Sequence, residues 1–143
     1  YFLNGHGGNV ATANASFSEI YAQSSLRQTA ADLSNVRCKL KNWWEADGVM
    51  ALSKELFGEA DGSHATCGEV SLTQFAHPHS IKSAEMDPPI APTGTFYDAA
   101  DFRSRFPDGR IGSNPSLASP EAGEKLFKKA LAGLEKDYLE FAA

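Results

Sequence analysis

Only two cysteines, Cys38 and Cys67, stand among the 143 residues, and neither has a neighbour at metal-ligand spacing. That excludes a disulfide framework and a zinc knuckle, and both read as free thiols of a reducing cytosol. Long apolar runs are missing too: no stretch approaches the roughly 20 residues that a membrane-spanning helix needs. Positive charge is scarce, with 13 Lys and Arg against 18 Asp and Glu and a net charge of −5. Nucleic acid is therefore not the expected partner, because phosphate binding requires clustered basic residues. No internal repeat occurs. Neither Gly-x-Gly-x-x-Gly nor a glycine loop ending in Lys-Ser/Thr is present. What remains is an ordinary globular composition, 42% hydrophobic and 22% charged, in a chain the size of one domain that can bury a core.

The most informative segment opens the chain. Tyr1-Phe2-Leu3 runs into Asn4-Gly5-His6-Gly7-Gly8-Asn9, and a helical pattern follows at once. This is a strand, a glycine-rich turn and a helix, with an imidazole set on the turn. Ligands of open α/β sheets bind beyond the carboxyl ends of strands, where this turn falls. Glycine there allows a sharp turn and close approach of a ligand, at an entropic cost that a plain connection avoids. A histidine so placed is a metal ligand or an acid/base group, unless it only satisfies local hydrogen bonds. The chain opens without Met, charged leader or signal-peptide pattern. Together with so short a first strand, this leads to the expectation that an N-terminal segment with further strands is missing, and that residues 1–143 are the C-terminal part of one larger α/β domain.

Beyond Asn9, Val10, Ala13, Phe17, Ile20 and Tyr21 follow the spacing of an amphipathic helix with a well-covered face. Val36-Arg37-Cys38-Lys39-Leu40-Lys41 alternates as a strand does. The strand runs on to Asn42-Trp43-Trp44, where adjacent tryptophans on extended chain point to opposite faces. Val49, Leu52, Leu56 and Phe57 mark a second helix stopped by Gly58. A third begins at Thr66-Cys67-Gly68-Glu69, a capping box, and ends at Pro78. Residues 80–92 are proline-rich and irregular, and Thr95–Pro115 reads as a long ordered loop covering something. Ser119-Pro120-Glu121 starts a last helix whose buried stripe is expected at Phe127, Ala130, Leu131, Leu134, Tyr138 and Phe141. Strand and helix alternate and then helices dominate, which favours an α/β sheet over a bundle.

A second cluster of chemistry lies at Asp61, His64 and Glu69. With His6 it makes two imidazoles and two carboxylates near loop ends, donors that zinc or manganese accepts. Each carboxylate has a plainer reading: Glu69 as the capping-box glutamate, Asp61 as a turn residue beside Gly62. No apolar periodicity accounts for His64. His77 and His79 flank Pro78 at a helix end and read as surface residues. Glu45, Asp47, Glu55 and Glu59 read as a solvated helix face.

Asn4-Gly5-His6-Gly7-Gly8-Asn9, Asn42-Trp43-Trp44 and Asp61-Gly62-Ser63-His64-Ala65-Thr66-Cys67-Gly68-Glu69-Val70-Ser71 together resemble the creatininase (creatinine amidohydrolase) family. The stretch from Gly109-Arg110-Ile111-Gly112 through Pro115 to Ser119-Pro120-Glu121 is similar to that family's closing segment, so the resemblance runs along essentially the whole chain. It implies a doubly wound α/β sheet with flanking helices and hydrolysis of a cyclic or simple, non-peptide amide. It also implies two divalent metals per site, Zn2+ first and Mn2+ or Fe2+ as alternatives, in a cytoplasmic homo-oligomer, a hexamer by the family's pattern. On this resemblance His6 and Glu69 are metal ligands, and His64 and Asp61 are catalytic. Gly7, Gly8, Trp43 and Trp44 line the substrate. A metal-activated water attacks the carbonyl and His64 protonates the departing nitrogen.

The chain departs from the family pattern at four places. Gly8 stands where creatininase carries a glutamate ligand, and Ala60 where a tryptophan closes over the substrate. Thr66 and Val70 replace a glycine and a threonine of the later motif. Creatinine is therefore not the expected substrate, and Glu69 becomes the candidate for the missing carboxylate. The family's Glu-x-His and bridging aspartate are expected upstream of Tyr1. Two other readings compete: a nucleotide- or phosphate-binding domain using the glycine turn, and a non-catalytic fragment whose open strand edge serves assembly.

Overall fold

The computed structural model describes residues 1–26 and 36–143. Two short strands, β1 (Phe2–Asn4) and β2 (Leu40–Asn42), pair in parallel with Phe2 opposite Leu40 and Asn4 opposite Asn42. Helix α1 (Asn9–Ser25) leaves the end of β1. Four helices follow β2: α2 (Val49–Phe57), α3 (Cys67–Ala76), α4 (Ala99–Arg105) and α5 (Pro120–Ala142). The result is a small parallel sheet with helices around it, an α/β arrangement in which helix dominates. Among the described residues no helix is long and apolar enough to cross a membrane.

Local sequence accounts for the helix ends. Gly48 and Gly58 flank α2 with φ of 75° and 57°, backbone that a side chain disfavours. At α3 the Thr66 hydroxyl accepts from the Glu69 N–H while the Glu69 carboxylate accepts from the Thr66 N–H, the complete capping box. At α5 the Ser119 side chain accepts from the Ala122 N–H and Pro120 takes the first turn.

The core forms where α3 crosses α5. Leu126 and Cys67 are fully buried, with Val49, Phe57, Ala122 and Ala130 around them and Trp43 and Leu72 packed on the outside. Burial of a side chain such as Leu126 contributes about 2–3 kcal/mol. Gly123 makes the crossing possible, because a methyl group there would run into the Ser71 carbonyl of α3. Tyr1 and Lys39 then tie the sheet to α5: the Tyr1 hydroxyl donates to Asp137 at 2.7 Å and Lys39 Nζ lies 2.9 Å from the same carboxylate.

Several expectations need correcting. The second strand is only Leu40–Asn42. Cys38 lies outside it, its N–H donating to the Tyr21 hydroxyl at 2.8 Å. Trp43 and Trp44 are not on extended chain but in a 3-10 turn, Trp43–Glu45, with their rings edge to face at 6.1 Å. Helix α1 has no fully buried residue: Val10, Ala13, Phe17 and Ile20 are only half-buried and Tyr21 is exposed, so its apolar face is covered in part. The supposed loop between Thr95 and Pro115 contains α4, capped by Asp98, whose carboxylate accepts from the Ala100 and Asp101 N–H groups. The buried stripe of α5 is Ala122, Leu126 and Ala130, whereas Phe127, Leu131 and Tyr138 are about half exposed. Small residues let the two helices approach closely, and that contact outweighs the larger side chains one position further on.

Candidate active site

The carboxyl ends of β1 and β2 lie side by side, and each strand finishes on a buried asparagine, Asn4 (2% exposed) and Asn42 (6%). Between them runs a network that neither strand could make alone. Asn4 Nδ2 donates to Asn42 Oδ1 at 2.7 Å and to the His6 carbonyl at 2.8 Å. Asn4 Oδ1 accepts from the His6 N–H at 3.2 Å and from Asn9 Nδ2 at 3.1 Å. The histidine of the turn is exposed above this network. Its imidazole lies over Gly8, where a Cβ would stand 2.7 Å from Nε2. In the sequence the histidine and the glycines stand out as site residues, whereas the two asparagines do not. The available signal was an Asn at the final position of each strand, before Gly5 and before Trp43.

The second cluster is built on the approach to α3. A 3-10 turn, Gly58–Asp61, delivers Asp61, whose Oδ2 accepts from Ser53 Oγ at 2.6 Å and whose Oδ1 accepts from the Gly68 N–H at 2.9 Å. Both oxygens thus face protein donors, one of them at the positive end of α3. Glu69 uses Oε2 for both the Thr66 N–H (3.0 Å) and the Thr66 hydroxyl (3.1 Å). Cys67 donates from Sγ to the carbonyls of Ala60 and Asn114, and its burial raises the thiol pKa, so it is a packing residue and not a nucleophile.

His64 is exposed. Its carbonyl is fixed by the Ile111 N–H at 3.2 Å and Ser113 Oγ at 2.9 Å, in an antiparallel bridge with Ile111. The ring meets Phe102 of α4 edge to face at 5.8 Å. Ala65, next in the chain, has φ 52°, a conformation rare for a residue with a Cβ. Behind the bridge, Arg110 is 4% exposed and donates to the carbonyls of Pro88, Pro89 and Ser113 and to Asp108. Only the fold brings Phe102 to His64, and Arg110 reaches it through Ser113.

The candidates thus divide into two groups. His6, Gly7, Gly8 and the Trp43–Trp44 turn belong to the strand ends; Asp61, His64 and Glu69 belong to the approach to α3. Among the described residues no hydrogen bond or ion pair joins His6 to Asp61, His64 or Glu69. Among the described residues no three His, Cys, Asp or Glu side chains are grouped so as to hold a metal ion. By themselves the described residues do not fit a divalent metal. A cleft of about 330 Å³ on the outer face of α3 is lined by Glu69, Thr73 and His77, but by neither His6 nor His64.

The exposed imidazole thus stands on a glycine turn at the carboxyl end of a parallel pair of strands, where ligands of α/β folds bind. The family model described as creatinine amidohydrolase matches residues 1–137, and the chain belongs to the creatininase family. Membership places it among amidohydrolases, a group that generally works with divalent metal. No curated protein matches the chain.

Proposed function

We propose that this protein hydrolyses the C–N bond of a cyclic or simple, non-peptide amide. The family match over residues 1–137 carries the reading. The exposure of both candidate imidazoles on loops supports it, since an acid/base group must reach its substrate. In this reading His64 delivers a proton to the departing nitrogen, beside an Asp61 carboxylate fixed by Ser53 and the Gly68 N–H. Gly7, with open space where a side chain would stand, leaves room for the substrate against the His6 turn, while Gly8 yields its space to the imidazole; Trp44 supplies an apolar wall beside Trp43, whose other side packs on the core.

The divalent metals of this reading, Zn2+ before Mn2+ or Fe2+ and two per site, would draw on His6 and Glu69. A doubly wound sheet with flanking helices belongs to the same reading. A cytoplasmic homo-oligomer, hexameric by the family's pattern, belongs to the same proposal. The competing anion-site reading has less support: the N–H groups of Asn9 and Val10 at the head of α1 are already taken by the carbonyls of His6 and Gly7.

The test is release of ammonia or amine from a panel of lactams, cyclic ureas and simple carboxamides, with metal content measured on the same preparation. Loss of an acid/base group lowers turnover by about 100- to 10,000-fold, the drop expected for His64→Ala. His6→Ala should lose both activity and bound metal. Wild-type protein that cleaves none of the panel and binds less than one equivalent of metal would overturn the reading.

A further inference from the structure

We propose that Asn4 is the positioning residue of the site: it fixes His6 by clamping both backbone groups of that residue and anchoring the clamp to β2. The role of His6 rests on the hydrolase reading above; the clamp itself rests on the hydrogen bonds.

An asparagine side chain can make four hydrogen bonds, two as donor and two as acceptor. Asn4 makes all four. One donor and one acceptor go to the backbone of His6, at 2.8 and 3.2 Å, so the turn is held by its carbonyl and its N–H together. The second acceptor bond comes from Asn9, the first residue of α1, at 3.1 Å. The second donor bond goes to Asn42 at 2.7 Å, across the register pair that ends both strands. One buried amide therefore joins the strand, the turn, the helix and the neighbouring strand.

No other residue type of this size reproduces that pattern. Aspartate accepts but cannot donate, so it would set an oxygen against the His6 carbonyl and against Asn42 Oδ1. Serine makes too few bonds. A buried network is also demanding: a group left without its partner costs free energy, which is why a fully satisfied one selects a single arrangement. The imidazole then settles over Gly8, where no side chain competes for the space.

The experiment is imidazole NMR on the protein. The four histidines, His6, His64, His77 and His79, give four ring signals, three of which report on other parts of the fold. In Asn4→Ala and Asn4→Asp the His6 signal should move to the position of a mobile, solvated histidine while the other three stay in place. Asn42→Ala should shift the His6 signal part of the way. Should all four signals collapse in Asn4→Ala, then Asn42→Ala and Asn4→Asp decide the matter. The proposal is overturned if His6 keeps its wild-type signal in any folded Asn4 variant, or if the His64, His77 and His79 signals move with it in every variant. Because the readout is the ring and not turnover, absence of amide hydrolysis would sink the functional reading and leave this one standing.

Discussion

The His6 imidazole occupies the space that a side chain at Gly8 would need: an added Cβ would stand 2.7 Å from its Nε2. The obstacle is the far end of a side chain, which can swing away, and Gly8 itself has φ −62°, open to any residue. Gly8→Ala is therefore expected to cost at most about 1 kcal/mol, the price of a poorer helix cap. It should nevertheless turn the ring, and amide hydrolysis should fall toward the level of His6→Ala. Thermal unfolding and turnover on the same variant check this. Full activity with a displaced ring would mean that the orientation of His6 does not matter.

Glu69 has two candidate duties, and they separate by substitution. Thr66→Ala removes the hydroxyl that receives the Glu69 N–H at 3.0 Å and should destabilise the protein by about 1 kcal/mol. Glu69→Gln keeps an acceptor for the Thr66 N–H and hydroxyl, so its cost in stability should be smaller than that of Thr66→Ala. If Glu69 also serves as a metal ligand, Glu69→Gln alone should lower metal content. Denaturant midpoints and metal analysis on both variants give the answer. Equal metal content in the two would leave Glu69 as a cap only.

How much of this was legible in the sequence depended on the range of the interaction. Gly58, Thr66, Glu69, Ser119 and Pro120 mark helix ends through contacts within a few residues, and the helices lie where those residues put them. The buried side of α5 was not legible, since Gly123 matters only because Ser71 comes up against it from a distant part of the chain. The same holds for α4, whose 7 residues are too short to show a period yet are capped by Asp98. At the site the imidazoles stood out by composition. Their supports join segments 38 and 49 residues apart: Asn42 beneath His6 shows only as the last residue of a strand, and Ser113 beside His64 leaves no local pattern.

Acid should weaken the tie between the sheet and α5. The Asp137 carboxyl is held below the usual aspartate range, first by the Tyr1 hydroxyl that donates to it and then by Lys39 and Lys41. A carboxyl whose pKa is lower in the folded state stabilises above its unfolded value, about 3.9, and loses that contribution as the pH falls through the folded value. Tyr1 works in the opposite sense. Burial first, and then its bond to Asp137, push the phenol above its ordinary value, so its contribution is complete below pH of about 10. Asp137→Asn should therefore be less stable than wild type at neutral pH, and the difference should shrink at strongly acid pH. Urea midpoints at several pH values between neutral and acid test it; a gap that stays constant would assign the stabilisation to some other group.

The buried guanidinium of Arg110 offers the sharpest contrast between a charge and a fork. It reaches the carbonyls of Pro88 at 3.0 Å, Pro89 at 3.0 Å and Ser113 at 3.2 Å, and Asp108 Oδ2 at 2.8 Å. Arg110→Ala strips the donors from all three carbonyls, and a buried acceptor left without its partner costs about 1–3 kcal/mol. Lysine keeps the charge but cannot span the same carbonyls, so Arg110→Lys should recover only a minor part of that loss. Asp108→Asn should cost under about 1 kcal/mol, because that side chain is half exposed and water screens the pair. Ser113 links this network to the site, since its Oγ donates to the His64 carbonyl. Arg110→Lys should accordingly move the His64 ring signal and lower turnover while leaving the His6 signal in place. Unfolding measurements on the three variants, set beside imidazole NMR, test the chain of contacts; a His64 signal unmoved in folded Arg110→Lys would break it at Ser113.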